Sequence, residues 1–346
     1  VFFLFRYKLA YDIPVGGFIG SFSIWTDTSN VETGYSGYSD WFYQTMFVCA
    51  TVSIVSGAVA ERIKIWPFFF FAAIMAGFIY PISMGWQWGG GWLSVAGFSD
   101  FAGSTLVHAC GGAAALAGVI VLGARDGRFG VKGEKKSMIP FAASSIPLVT
   151  LGTFLLWFGW FGFNGFSQLA MGTFDDVNAI AKIAVNTHLA GAAGVVTGAA
   201  LTRLIGGKTD IIMMLNGALA GLVAITAEPL TPTPMIAMLI GSVGAVIMYY
   251  GTKILEHLRL DDVVGAIPVH LFAGIFGTLV VPFTNMETSF GTQILGVLSV
   301  CTFSFTLSYA VFKTMKETTG LRISKAAEKL GTDKAEIGVA AYSIRD

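Results

Sequence analysis

Two histidines lie inside apolar stretches of the chain and share the same surroundings. His108 is in the segment DFAGSTLVHACGG (residues 100–112), and His270 is in DVVGAIPVHLFAG (residues 262–274). In both segments an Asp precedes the His by eight residues, a Val comes directly before it, and a Gly follows four residues later. An ionisable side chain within a membrane span is costly, so it faces a pathway or the interior of a helix bundle. Two adjacent neutral imidazoles could share a proton and still present polar edges to a small solute or to a relayed proton.

The composition indicates that these histidines belong to a membrane protein. Of the 346 residues, 54% are hydrophobic and only 12% are charged, whereas a soluble domain carries roughly 25% charged residues. A soluble chain could not bury so many apolar side chains, and the composition also excludes nucleic-acid-binding proteins. The three cysteines have no paired spacing, which excludes a disulfide framework or a zinc ribbon.

Nine stretches are apolar and long enough to cross a bilayer as helices, which takes about 20 residues each. They cover residues 40–61, 65–86, 104–123, 146–168, 177–202, 211–227, 233–252, 263–282 and 290–312. The predicted fold class is therefore an all-α, multi-pass membrane protein. The apolar stub at residues 1–5 is too short to span, and we expect it to be the end of a span that begins before Val1.

The connections between these stretches alternate in charge. Lys and Arg lie in connections 62–64, 125–136, 203–208 and 253–259 and in the tail, whereas connections 27–39, 87–103, 169–176, 228–232 and 283–289 have none. Only Arg6, Lys8 and Lys182 depart from this pattern. The positive-inside rule then predicts a cytoplasmic-membrane protein with its C-terminus in the cytoplasm. Because His108 and His270 lie five spans apart, their segments cross in opposite directions, which indicates an inverted repeat of five helices followed by a last helix.

The motifs resemble those of the Amt ammonium transporter family over nearly the whole chain. The segments that carry the resemblance are YQTMFVCATVSIVSGAVAER (43–62), DFAGSTLVHACGGAAALAG (100–118), GWFGFNGFS (159–167), LNGALAGLVAIT (215–226), DDVVGAIPVHLFAGIFGTL (261–279) and GLRISKAAEKLGTDKAEIGVAAY (320–342). The resemblance implies an Amt-type transmembrane domain at residues 1–313, truncated at its N-terminus, and a cytoplasmic tail at residues 314–346. It also implies a homotrimer with one pore in each subunit.

The resemblance further implies transport of ammonium or ammonia, with an external cation site formed by Trp88, Phe47 and Ser167. Aromatic faces attract a cation by roughly 0.5 to 2 kcal/mol each, and a hydroxyl supplies an acceptor for an N–H group. Below that site the family places two stacked rings as a gate, which here would be Phe47 and Phe163. Tyr43 lies one turn from Phe47 on the same helical face and is assigned to the gate with them.

His108 and His270 would form the twin-histidine lining of a narrow pore by the same resemblance. Asp100 is expected to be structural, capping backbone amides near the external site and biasing the field toward cations. Capping is also the expected role of Asp261 and Asp262 at the opposite side of the membrane.

Several positions depart from the family pattern: Ala109, Phe166, Ala227, Gly265 and Leu271. Phe166 and Leu271 would add bulk beside Ser167 and His270, and an altered pore could bind ammonium without conducting it. The alternative function is therefore an ammonium sensor that signals through its tail to an output domain or a regulatory protein. A metal enzyme is disfavoured, because Asp100 and His108 would lie roughly 12 Å apart along a helix. We expect no enzyme activity, cofactor or metal.

Overall fold

The computed structural model describes residues 7–24, 26, 36–130 and 139–342. The stub at residues 1–5, most of connection 27–39 and part of the basic connection 125–136 lie outside the described residues. The helices are α1 (Tyr7–Tyr11), α2 (Gly37–Val59), α3 (Ile65–Gly85), α4 (Trp92–Val95), α5 (Ser104–Leu122), α6 (Ile146–Gln168), α7 (Phe174–Gly206), α8 (Ile211–Ile225), α9 (Pro234–His257), α10 (Ile267–Phe283), α11 (Phe290–Thr318) and α12 (Lys325–Leu330).

The all-helical, multi-pass architecture is confirmed, with one correction to the lengths of its spans. All nine predicted stretches contain a helix, but within the described residues only seven helices are long and apolar enough to cross a membrane. The other two helices, α8 and α10, are apolar but shorter than 18 residues, so their lengths were overestimated. The hydropathy pattern included non-helical residues in the predicted helices. These are Thr226 and Ala227, whose carbonyls accept hydrogen bonds from a neighbouring loop, and residues 263–265.

The two histidine segments begin with the same local structure. Asp100 Oδ1 accepts a hydrogen bond from the amide of Gly103, and Asp262 Oδ1 accepts one from the amide of Gly265, at 3.0 and 3.1 Å. Both glycines are left-handed, with φ of 107° and 80°, a conformation that costs glycine little. A π-helical turn then carries each histidine, at Ser104–Ala109 and Ile267–Phe272. Such turns place one extra residue in the helix and occur often at functional sites.

The glycine four residues after each histidine lets the two repeats approach each other closely. A Cβ atom added to Gly112 in α5 would lie 2.6 Å from the Leu271 amide nitrogen of α10. A Cβ atom added to Gly274 in α10 would lie 2.4 Å from the Ser104 carbonyl oxygen of α5. These contacts are reciprocal, so the spacing found in the sequence is a packing requirement at the crossing of α5 and α10.

The tail docks on one end of the bundle, which we call the tail end. Backbone hydrogen bonds join Lys64 N to Leu321 O and Ile323 N to Arg62 O, at 3.0 and 3.1 Å. Farther along, the Glu328 carboxylate accepts a 2.7 Å hydrogen bond from the Asp126 amide. The tail is thereby held to the connections that follow α2 and α5.

Candidate functional site

An open cavity of about 260 Å³ lies at the end of the bundle opposite the tail end. Trp88, Phe47 and Ser167, the three residues assigned to cation binding, all line it, and so does Tyr43. They come from three parts of the chain: the turn after α3, α2, and the last turn of α6. We call this end of the bundle the cage end.

Trp88 is held in place by the first histidine segment. Its indole Nε1 donates a 2.9 Å hydrogen bond to the backbone carbonyl of Asp100. Its ring lies 5.6 Å from that of Phe47, centroid to centroid, at an interplanar angle of 87°. The edge-to-face arrangement of Phe47 and Trp88 is one of the preferred geometries for an aromatic pair.

Ser167 and Tyr43 meet at the end of α6. Their hydroxyl oxygens are 2.8 Å apart, and the Ser167 hydroxyl also donates to the Phe163 carbonyl oxygen at 2.9 Å. The Tyr43 hydroxyl reaches the same carbonyl at 2.5 Å. With the Ser167 proton donated to that carbonyl, one lone pair of Ser167 can accept from Tyr43 and the other can accept from an N–H donor in the cavity.

Phe47 and Phe163 form a stacked pair beneath the cavity. Their ring centroids are 4.1 Å apart and the rings are inclined by 30°. Tyr43 packs edge-on against Phe47, with the ring centroids 4.7 Å apart. At 4.1 Å the two phenyl rings are in van der Waals contact, so a solute could pass between them only if a ring moved.

His108 and His270 lie beyond the stacked rings and face each other. Their Nδ1 atoms are 3.1 Å apart, which makes one imidazole the donor and the other the acceptor. The ring of His108 lies 5.3 Å from that of Phe163. His108 is only 3% exposed, and its Nε2 atom is buried without a hydrogen-bond partner among the described residues. An unpaired buried polar atom costs about 1 to 3 kcal/mol, so this nitrogen favours a polar ligand beside it.

Trp160 adds a ring to the series formed by Phe47, Phe163 and His108, which we call the column of rings. The sequence did not lead us to select it. Its ring stacks on that of His108 with centroids 5.0 Å apart and an interplanar angle of 13°. Its Nε1 donates a 2.8 Å hydrogen bond to Thr226 Oγ1. One feature of the sequence could have identified Trp160: it lies three residues before Phe163 in the GWFGFNGFS motif, so both rings lie on one face of α6.

Asp100 is fully buried, and its carboxylate is surrounded by backbone amides. The oxygens accept hydrogen bonds from the amides of Gly103, Ser104, Thr105 and Leu106 at 2.8 to 3.0 Å. Burial raises the pKa of the Asp100 carboxyl to about 6, and these amide hydrogen bonds oppose the rise. The carboxylate therefore fixes the start of α5 and, through its own carbonyl, the position of Trp88.

The two aspartates of the second segment both accept hydrogen bonds from backbone amides, but their surroundings differ. Asp262 accepts from the amides of Gly265 and Ile267. Asp261 Oδ2 accepts a 2.9 Å hydrogen bond from the amide of Arg125 and is also ion-paired with that residue, whose Nε lies 2.8 Å away. Burial raises the pKa of Asp261, but the hydrogen bonds from Arg125 outweigh it and leave the pKa below its ordinary value.

The substitutions that set this chain apart from the family pattern are accommodated in specific ways. Leu271 is buried and packs against Gly112 at the helix crossing. Phe166 is 58% exposed, and its ring centroid lies 6.4 Å from that of Tyr43. Gly265 has the left-handed conformation of Gly103, so it completes the shared turn of the two repeats.

Comparison with known proteins gives consistent matches over the chain. A putative ammonium transporter of Synechocystis is 42% identical over 98% of this chain and 77% of its own length. The ammonium transporter Amt2 of Archaeoglobus fulgidus is 39% identical over 87% of this chain and 69% of its own.

Solved structures give the same result. A structure titled Sensor Amt Protein superposes with a TM-score of 0.89 at 32% identity, covering 97% of this chain and 85% of that one. The crystal structure of Candida albicans Mep2 gives a TM-score of 0.83 at 26% identity, covering 94% and 76%. The sequence model of the Ammonium Transporter Family matches residues 1–342. This chain therefore belongs to the ammonium transporter family.

Proposed function

We propose that the protein transports ammonium across a membrane along a path that runs from the cavity at the cage end to the paired histidines. One observation carries the proposal: the assigned side chains form an unbroken series of contacts. Its centroid distances are 5.6 Å for Trp88 and Phe47, 4.1 Å for Phe47 and Phe163, 5.3 Å for Phe163 and His108, and 5.2 Å for His108 and His270.

In this proposal Trp88, Phe47 and Ser167 bind the ammonium ion. Each aromatic ring attracts a cation by roughly 0.5 to 2 kcal/mol, with the larger values for desolvated sites. The Ser167 hydroxyl accepts one N–H group, because its own proton is taken by the Phe163 carbonyl. Ammonium is thereby favoured over a cation of similar size that has no N–H donors.

Phe47 and Phe163, with Tyr43 packed against them, act as a gate that keeps water and other ions out. An isolated charge in an apolar interior costs several kcal/mol, so the rings oppose passage of a bare cation. His108 and His270 offer the polar edges that ammonia, or a proton relayed from ammonium, needs beyond the rings. The unpaired Nε2 of His108 supports this role.

The orientation and assembly belong to the same proposal. The cage end faces outside and the tail end faces the cytoplasm of a cell bounded by the cytoplasmic membrane, as the alternation of basic connections favours. Residues 1–313 form the transmembrane domain and residues 314–346 the cytoplasmic tail. The resemblance to the family supports a homotrimer. Exposed apolar side chains of α6, such as Leu151, Leu155 and Phe158, provide a surface for lipid or for a second copy.

An ammonium sensor is the second candidate, and the docking of the tail favours it. Arg322 donates hydrogen bonds to the Ala124 carbonyl and to the Glu328 carboxylate, both at 2.7 Å, so the tail is tied to the connection after α5. One solved relative is titled Sensor Amt Protein. A sensor requires only that ammonium binding differ in free energy between two arrangements of the tail.

Purified protein in liposomes tests the proposal by ammonium-driven current, with ammonium binding measured on the same preparation. We expect His108→Ala and His270→Ala to abolish most of the current and to leave binding nearly unchanged. His188→Ala is the matched control, because His188 is an exposed histidine of α7 away from the column of rings. Binding without current in the wild type would favour the sensor, and equal loss of binding and current in the histidine variants would contradict the pore assignment.

A further inference from the structure

The cavity at the cage end holds hydrogen-bond acceptors that the aromatic cation site does not use. Asp40, Gln44 and Gln87 line the same cavity as Phe47 and Trp88. Each brings at least one side-chain oxygen, and the residues that line this cavity include no Lys or Arg. A cavity with a carboxylate, amide oxygens and aromatic faces is suited to a small cation with N–H donors.

Two of these oxygens lack a partner in the described part of the chain. Oε1 of Gln44 and Oε1 of Gln87 are buried and accept no hydrogen bond there. Gln44 is only 5% exposed, so water in the bulk does not satisfy it. An unsatisfied buried acceptor costs about 1 to 3 kcal/mol, which a donor bound in the cavity would remove.

Asp40 supplies the negative charge. Its carboxylate is 5% exposed and accepts a hydrogen bond from the hydroxyl of Tyr7. Gln44 is its other side-chain partner. A carboxylate can accept about four hydrogen bonds, so these contacts leave capacity for a further donor.

Two of the acceptors, Asp40 and Gln44, lie on the same face of α2 as Phe47. Asp40 lies in the first turn of the helix, Gln44 one turn farther, and Phe47 almost two turns farther. At 1.5 Å per residue, Asp40 lies roughly 10 Å along the helix axis from Phe47. The charge is therefore nearest the start of the helix, and the apolar rings lie deeper in the bundle.

We infer that Asp40, Gln44 and Gln87 form a second ammonium-binding subsite, which holds the ion before it enters the aromatic site. The inference rests on the proposed function, because it concerns the same ion and the same cavity. The aromatic site offers one hydroxyl for four N–H groups, whereas this subsite offers a carboxylate and two unpaired amide oxygens. The ion first exchanges part of its hydration shell for these acceptors. It then reaches the aromatic rings partly dehydrated, and the attraction between a cation and an aromatic face is strongest when the cation is dehydrated.

Asp40→Asn tests the subsite, with the half-saturating ammonium concentration of the current in liposomes as the measurement. The substitution keeps the shape and an acceptor for Tyr7 but removes the charge. We expect the half-saturating concentration to rise about tenfold, as for the loss of a charge-assisted hydrogen bond. The dependence on ionic strength should weaken as well, because the attraction of the ion to a fixed charge is lost. Asp175→Asn is the matched control: Asp175 is exposed in the first turn of α7, at the same end of the bundle.

Gln44→Met provides a second measurement that does not change charge. Methionine has a similar length and fills the buried position, so the fold should be retained, and the loss of the unpaired acceptor should raise the half-saturating concentration about threefold. The inference is overturned if both variants match the wild type, or if Asp175→Asn has the same effect as Asp40→Asn. A wild type that neither binds nor conducts ammonium would instead contradict the proposed function.

Discussion

The two histidine segments use one local design in two different surroundings. In each segment an aspartate accepts a hydrogen bond from the amide of a left-handed glycine, and a π-helical turn carries the histidine. A later glycine lets the backbone of the other segment pack closely against it. Asp100 and His108 are buried at the cage end, where the Asp100 carbonyl also holds Trp88. Asp262 lies toward the tail end, next to an aspartate that is ion-paired with Arg125. The repeated residues thus fix the geometry of the two histidines. The residues outside the repeat make the two ends differ, with Trp88 at the cage end and the ion pair of Asp261 and Arg125 at the tail end.

The largest expected effect concerns the two capping aspartates. Asp100→Ala removes the acceptor of four buried amides and should destabilise the protein by roughly 4 kcal/mol or more, since each orphaned amide costs about 1 to 3 kcal/mol. Asp262→Ala removes an acceptor whose two well-formed amide hydrogen bonds come from Gly265 and Ile267, and it should cost less than Asp100→Ala. Thermal unfolding in detergent, followed by tryptophan fluorescence, measures both. Equal losses would show that the surroundings do not distinguish the two segments.

The next largest effect on stability is expected at the ion pair of the tail end. Arg125 and Asp261 are both buried, so Arg125→Met would leave the Asp261 carboxylate without its nearest countercharge. Breaking a buried pair in this way costs about 3 to 5 kcal/mol. The double variant with Asp261→Asn should recover part of that loss, because position 261 then carries no buried charge that has lost its partner. No recovery in the double variant would mean that Arg125 acts through contacts other than this pair.

The sequence was sufficient for those features that depend on local pattern. Hydropathy located nine helices, charge alternation ordered them, and the repeated Asp, His and Gly positions indicated the inverted repeat. It was not sufficient for features that depend on packing across the chain. The partner of Asp261 is Arg125, which is 136 residues away, and no spacing connects the two. Trp160 was overlooked because its stacking on His108 depends on how α6 packs against α5. The lengths of α8 and α10 were overestimated because apolar turn residues have the hydropathy of a helix.

The crossing of the two repeats should be nearly symmetric in its response to substitution. Gly112→Ala and Gly274→Ala each place a methyl group less than 3.0 Å from the backbone of the other repeat. Overpacking of this kind costs about 1 to 3 kcal/mol, and we expect the two variants to lose similar stability in the same unfolding assay.

A control for the crossing is Gly152→Ala in α6, where an added Cβ meets nothing within 4 Å. That change should be neutral or stabilising by up to about 1 kcal/mol, since alanine is the better helix former. A large loss in only one of the two crossing variants would contradict reciprocal packing. It would indicate that one repeat can shift while the other cannot.

Trp88→Leu probes a feature that belongs to the cage end alone, and its effect should be the smallest. Leucine retains an apolar side chain but loses the ring face, so ammonium affinity should fall by about 0.5 to 2 kcal/mol, as for one cation–π contact. Trp66→Leu is a suitable comparison, because Trp66 is an exposed tryptophan at the opposite end of α3. Isothermal titration with ammonium measures both variants. An unchanged ammonium affinity in Trp88→Leu would remove Trp88 from the cation site. If the variant also lost stability, the role of Trp88 would be to support the start of α5 through its hydrogen bond to Asp100.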